Sequence, residues 1–243
     1  MPLAAPGKGP ALGVVPPSFL AAPVGLAAAA LLLATASADM LLAINAPRTV
    51  AITHAAVIGW LSMGIFGAVY QLGPAVLGGR LVSTRLARIH YYLHATVVPV
   101  FVWALWQWEV RVMALAGVSL AASFVLFLIN AFPAIKPTLR GPATSRYLTA
   151  SLSLLVVTAG FGVSWLGALE HLWFPVTMGR LGGHAHLGLV GWLAITVMGV
   201  GYQLVPMFNV VQRKRPLGPG PILAVTAAAA LAGNPPGDVV LVS

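Results

Sequence analysis

The sequence predicts an all-α bundle of about seven transmembrane helices, and three observations predict it. Of 243 residues, 59% are hydrophobic and only 7% are charged, where soluble domains run near 25% charged. The apolar residues gather into long segments. The basic residues sit mostly in alternate loops. Thirteen basic and four acidic side chains cannot clothe a soluble surface on a chain this long, so the first partner of the protein is a lipid bilayer.

Seven apolar segments lie near 18–44, 49–77, 89–108, 112–134, 147–169, 182–209 and 221–233. Each of the first six holds the ~20 residues that cross a hydrocarbon core of about 30 Å. They are helices because lipid cannot satisfy open backbone groups. The seventh has only about a dozen apolar residues before "NPPGD", which is short for a span. One set of loops carries Lys8, Arg80, Arg85, Arg88, Lys136, Arg140, Arg146, Arg213, Lys214 and Arg215, and the opposite set carries Arg48, Arg111 and Arg180. That asymmetry puts the N-terminus in the cytoplasm and the chain in the cell membrane. Trp103, Trp106, Trp108, Trp165 and Trp173 fall at the outer interface, and Tyr91, Tyr92 and Tyr147 at the inner one. The net charge of +9 is then mostly topology, and no nucleic-acid partner is implied. The absence of cysteine excludes disulfides, cysteine-bound metals and c-type haem attachment. No charged region followed by a short apolar core opens the chain, so no cleaved signal peptide is expected.

The second and sixth segments echo one another: "THAAVIGWLSMGIFGAVYQLGP" from residue 53 and "GGHAHLGLVGWLAITVMGVGYQLVP" from residue 182. At an offset of 132 residues His54 meets His186, Gly59-Trp60-Leu61 meets Gly191-Trp192-Leu193, and Gly67 meets Gly199. Tyr70-Gln71-Leu72 meets Tyr202-Gln203-Leu204, and Pro74 meets Pro206. Nine of the 21 positions from 54 to 74 are identical, and Arg48 also meets Arg180. The reading is an internal tandem repeat: a cytoplasmic tail over 1–17, a first four-helix unit over 18–134, and a second, incomplete unit over 147–243.

Both echoing helices run inward, so His54, His184 and His186 share the outer third of the membrane. Residues i and i+2 of an α-helix point about 200° apart. His184 and His186 therefore address different partners and do not chelate one ion. Ionisable groups at membrane depth are functional candidates; packed polar groups hydrogen-bonded between helices are the plainer alternative. Gly59 and Gly191 admit either a flat group or a neighbouring helix. No carboxylate adjoins these histidines. Two imidazoles facing across an apolar gap suit haem b with bis-histidine ligation. Arg48 and Arg180 each lie ~9 Å nearer the outer surface than their histidine, where they either pair with haem propionates or anchor the interface.

"THAAVIGW…GAVYQLGP" resembles the second helix of catalytic subunit I of the haem-copper oxidases, and "HAHLGLVGWLAITVMGVGYQLVPMF" resembles their His-x-His helix. The wording is closest to the cbb-type branch and its short relatives. The resemblance implies a low-spin haem shared by His54 and His186, and a second, high-spin haem on His184. It also implies a redox partner or a further membrane subunit. The chain departs from the family in having no His-His dipeptide, no tyrosine-linked histidine helix, and seven helices where the family has about twelve. Copper is therefore not expected, and oxidoreductase chemistry is implied only in part: electron transfer, or reaction with O2 or NO.

"RIHYYLHA" places His90 and His94 one turn apart on the third helix, a spacing that can share a metal or that marks interfacial histidines among tyrosines. Asp39, near the outer end of the first helix, and its repeat partner His171 read either as proton-transfer or supporting groups or as interfacial and solvated, and Glu109 and Glu170 are loop-edge residues with no distinctive signal. The competing function is a transporter or channel with a histidine proton or metal relay.

Overall fold

The computed structural model describes residues 13–138, 140–171, 176–210, 218–232 and 240–242. Lys8 and most of the tail over 1–17, Trp173, Arg213, Lys214 and Arg215 lie outside the described residues, as do the side chains of Asp39, Glu170 and His171. The protein is an all-α polytopic bundle. Among the described residues six helices are long and apolar enough to cross a membrane. The chain forms two compact units, Met1–Lys136 and Pro137–Ser243.

The first unit opens with α1, Val15–Ala34, which starts on prolines in its first turn, where a missing N–H costs nothing. The apolar run does not continue as helix to residue 44. Thr35 donates its hydroxyl back to the Leu32 carbonyl at 2.7 Å and closes α1. Ser37 then caps a separate short helix, α2, Ala38–Leu42, by accepting from the Met40 N–H. Asp39 thus belongs to α2 and not to the first span.

Helix α3, Pro47–Val76, begins with Pro47 in its first turn. It is continuous but not uniformly wound: Ala55–Ser62 is π-helix. Helix α4, Thr84–Gln107, is capped by Ser83, whose hydroxyl accepts from the Leu86 N–H at 3.2 Å. Helix α5 spans Val110–Ile135. Asn130 on α5 accepts from the Ser83 N–H at 2.9 Å and donates to the Ser83 carbonyl at 3.0 Å, tying the start of α4 to the last turns of α5.

The second unit holds α6, Ala143–His171, α7, Met178–Asn209, and α8, Gly220–Ala232. Thr177 caps α7 by accepting from the Arg180 N–H at 3.3 Å. Leu187–Ala194 within α7 is again π-helix. At 13 residues, α8 reaches only ~20 Å, in keeping with its short apolar run. A two-stranded antiparallel ladder joins β1, Val176–Thr177, to β2, Val240–Val242.

Small residues let the helices approach. A Cβ at Gly25 on α1 would collide with the Gly59 carbonyl in the π segment of α3. In the second unit a Cβ at Gly191 would stand 3.0 Å from Leu154, and one at Gly199 2.7 Å from Tyr147, both on α6. The glycines of the echo therefore admit neighbouring helices, the packing that lipid-embedded helices depend on. Outward faces are apolar: Leu31, Leu115 and Phe208 are 70–75% exposed, as suits side chains facing acyl chains.

The Gly25–Gly59 contact yields a prediction. Gly25→Ala should destabilise the detergent-solubilised protein by about 1–3 kcal/mol in thermal unfolding, because backbone must move to admit the methyl. Gly160→Ala, with nothing within 4 Å of the added carbon, should leave stability unchanged or raise it by up to about 1 kcal/mol.

Candidate functional site

His54 ends the α-wound first turns of α3, directly before the π segment. Its Nδ1 lies 2.8 Å from the Val50 carbonyl. A carbonyl only accepts, so the ring proton resides on Nδ1 and the lone pair on Nε2. Phe101 of α4 meets the ring edge-on, with centroids 5.6 Å apart. Arg48, on the first turn of the same helix, is exposed. Its guanidinium lies over the Trp106 ring, 5.1 Å from the centroid, and Nη1 is 4.0 Å from the Met40 sulfur. A cation over indole at an exposed site is worth roughly 0.5–1 kcal/mol.

In the second unit His186 holds the matching position, the last residue before the π segment of α7. Its Nε2 is buried and has no hydrogen-bond partner among the described residues. His184 packs against α6. Its ring stacks on Phe161 at 6.2 Å and 16°, tilts against Trp165 at 5.6 Å, and fills the space over Gly162, 3.3 Å from where a Cβ would be. Arg180 sits half-buried in the first turn of α7.

A cluster of buried polar side chains forms around His90 and His94. His90 and His94 are 1% and 0% exposed, so they are core residues of the first unit and not exposed ones. Phe66 of α3 sets its ring against both, at 4.7 and 4.9 Å. Phe124 and Phe127 of α5 close the other side. His90 Nδ1 is 3.1 Å from the Tyr70 hydroxyl; His90 Nε2 has no partner among the described residues. His94 uses both nitrogens, Nδ1 with the Ser123 hydroxyl at 3.0 Å and Nε2 with the Ile58 carbonyl at 3.3 Å. That leaves His94 no ring nitrogen for a metal in this arrangement. Among the described residues no group of three or more histidine or carboxylate side chains is placed to hold a bare ion. A two-ligand planar cofactor does not need one.

Tyr70, Ser123 and Asn130 were not singled out by the sequence. The signal for Tyr70 was present, since it lies inside the duplicated Tyr-Gln-Leu. Ser123 and Asn130 carry no pattern: each is one polar residue in an apolar helix.

No family model matches the chain. The chain is similar to the Cbb3-type cytochrome c oxidase subunit CcoN1 of Stutzerimonas stutzeri, 26% identical over 169 residues, which cover 63% of this chain and 34% of that protein. The chain thus spans about a third of the length of the curated relative it matches. The similarity supports a relationship to the haem-copper oxidases.

The buried cluster generates the next prediction. Tyr70→Phe removes the hydroxyl paired with His90 Nδ1 and strands that buried nitrogen, while Asn130 keeps both of its bonds to Ser83. It should cost about 1–3 kcal/mol in thermal unfolding. Tyr92→Phe, at a residue 64% exposed, should change stability by less than about 0.5 kcal/mol.

Proposed function

We propose that this chain is a multi-pass haem b protein of the cell membrane, N-terminus in the cytoplasm, in which His54 and His186 supply the two axial ligands of one haem. The observation that carries the reading is the 2.8 Å contact between His54 Nδ1 and the Val50 carbonyl. Donation from Nδ1–H leaves the lone pair on Nε2, as in metal-ligating histidines, whose second nitrogen is anchored to a backbone oxygen. The buried, partnerless Nε2 of His186 fits the same role, since a buried imidazole nitrogen without a partner carries a desolvation cost that an axial bond removes. Similarity to an oxidase subunit points the same way.

Haem bound there would supply a one-electron centre for electron transfer or for O2 or NO chemistry. The protein's part is to hold the two imidazoles, exclude water with apolar helix faces, and set the charge nearby. Arg48 and Arg180 are the candidate partners of the haem propionates, and His184 the candidate ligand of a second haem. A redox partner or additional membrane subunit would complete the path of the electrons. The π segments, Ala55–Ser62 and Leu187–Ala194, fall 132 residues apart at both ends. This supports a tandem duplication in which each copy presents one histidine.

The second reading, a histidine relay in a transporter or channel, is favoured by the buried Tyr70–His90 hydrogen bond and the neighbouring His94. The visible spectrum separates the two. Purified protein should show the sharp reduced bands of a low-spin b-type haem, and His54→Ala or His186→Ala should each abolish them. A colourless protein, or two variants with unaltered spectra, would overturn the ligand assignment. His184→Ala should spare the low-spin bands and remove any second haem, read as haem per polypeptide.

The arginines give a quantitative test. A unit charge ~8 Å away at an effective dielectric near 20 is worth roughly 2 kcal/mol before screening. Arg48→Gln and Arg180→Gln should each lower the midpoint potential by on the order of tens of millivolts even when screening is heavy. Arg111→Gln, on the same predicted face, should not. Equal potentials in all three would leave the cation over Trp106 as an interfacial anchor alone.

A further inference from the structure

His94 is the least accessible histidine among the described residues, at 0% exposure, and the haem reading gives it no task. Its position suggests one. It reaches from α4 to the Ile58 carbonyl, 3.3 Å away, and Ile58 lies in the π segment that starts one residue after His54. π-Helix is rare and tends to occur at functional sites. A carbonyl has two lone pairs and can accept a side-chain donor beside its backbone bond. We propose that His94 is a positioning residue for His54: its Nε2–H bond to Ile58 holds the π-wound turn whose winding sets the direction of the His54 ring. The inference rests on the haem reading of His54.

The proton arithmetic of the cluster makes the role specific. Three contacts lie in series: Ile58 O to His94 Nε2 at 3.3 Å, His94 Nδ1 to Ser123 Oγ at 3.0 Å, and Ser123 Oγ to the Leu120 carbonyl at 2.7 Å. A neutral imidazole and one hydroxyl bring two protons, one fewer than three hydrogen bonds require. Two arrangements follow. With the ring proton on Nε2, His94 donates to Ile58 and accepts the Ser123 proton. With it on Nδ1, His94 donates to Ser123, Ser123 donates to Leu120, and Ile58 is released. Only the first holds the π segment. The other ring groups at His94 are Phe66, Phe124 and His90; none supplies a second acceptor for Nε2 among the described residues. Gly59, next to Ile58, is locked against Gly25 of α1, so the same turn is gripped from two sides.

The test has two arms. In bilayers, solid-state NMR of ring-15N-histidine protein, with His94 identified by difference against His94→Gln, should find His94 protonated on Nε2. Protonation on Nδ1 removes the donor and overturns the proposal without involving haem. In the second arm, His94→Leu should weaken haem uptake by the apo-protein roughly tenfold, the lower end of the range for losing an outer-shell partner. It should also shift the low-spin electron paramagnetic resonance signal, which reports the relative orientation of the two imidazole planes. His94→Gln, which keeps an N–H donor, should restore part of both. Unchanged uptake and signal in His94→Leu would overturn the positioning role and leave the haem reading standing. A wild-type chain that takes up no haem would overturn both. Should His94→Leu fail to accumulate, Ser123→Ala serves: it leaves Ile58 as the sole acceptor for the ring proton, so wild-type uptake and signal are expected. A loss there would mean that cluster packing, and not the Ile58 bond, acts on His54.

Discussion

A hydrocarbon interior offers no hydrogen-bond partner, so every polar group that enters it must find one within the protein. This constraint decides where the few polar side chains of the chain end up. Serines and threonines on the spans turn inward to their own backbone, as Ser18, Thr53, Ser119 and Thr196 do, each bonded to the carbonyl four residues before. Tyr70, His90, His94 and Ser123 of the first unit meet in one buried cluster. Aromatic rings flank it, and Asn130 binds the Ser83 backbone ahead of α4.

The spans were legible from sequence because crossing a membrane is a local demand: enough consecutive apolar residues, bounded by charge. Within one run, helix length was harder to read. The first helix stops at Ala34 because Thr35 and Ser37 carry stop and start capping groups, signals present in the sequence but outweighed by continuous apolarity. The burial of His90 and His94 was obscured by their neighbours. Tyr91 and Tyr92 suggested an interface, yet 90, 94, 98, 101 and 105 form one stripe at helical spacing, and all five residues are buried. The stripe, read as a face, would have placed the histidines inside.

Of the candidate site, residue identities were legible and winding was not. Nothing in "AAVIGWLS" or "LGLVGWLA" announces π-helix, because the choice between i+4 and i+5 bonding is made by packing against other helices. Gly59 is held against Gly25, and Gly191 against Leu154. Glycines that the sequence left open between a flat ligand and a helix neighbour are taken by helices.

A π-wound stretch also changes what chain length means inside a membrane. An α-helix that loses one residue turns everything beyond it by about 100° and shows lipid the wrong face. A π segment already carries residues beyond what α-winding needs. Deleting one residue from 55–62 or from 187–194 could relax that stretch toward α-helix and leave both flanking faces where they are. These two octets are therefore the places where the spans can shorten in evolution with least reorganisation. Related chains that lack one residue there would keep their outer faces and lose only the local winding beside the histidine.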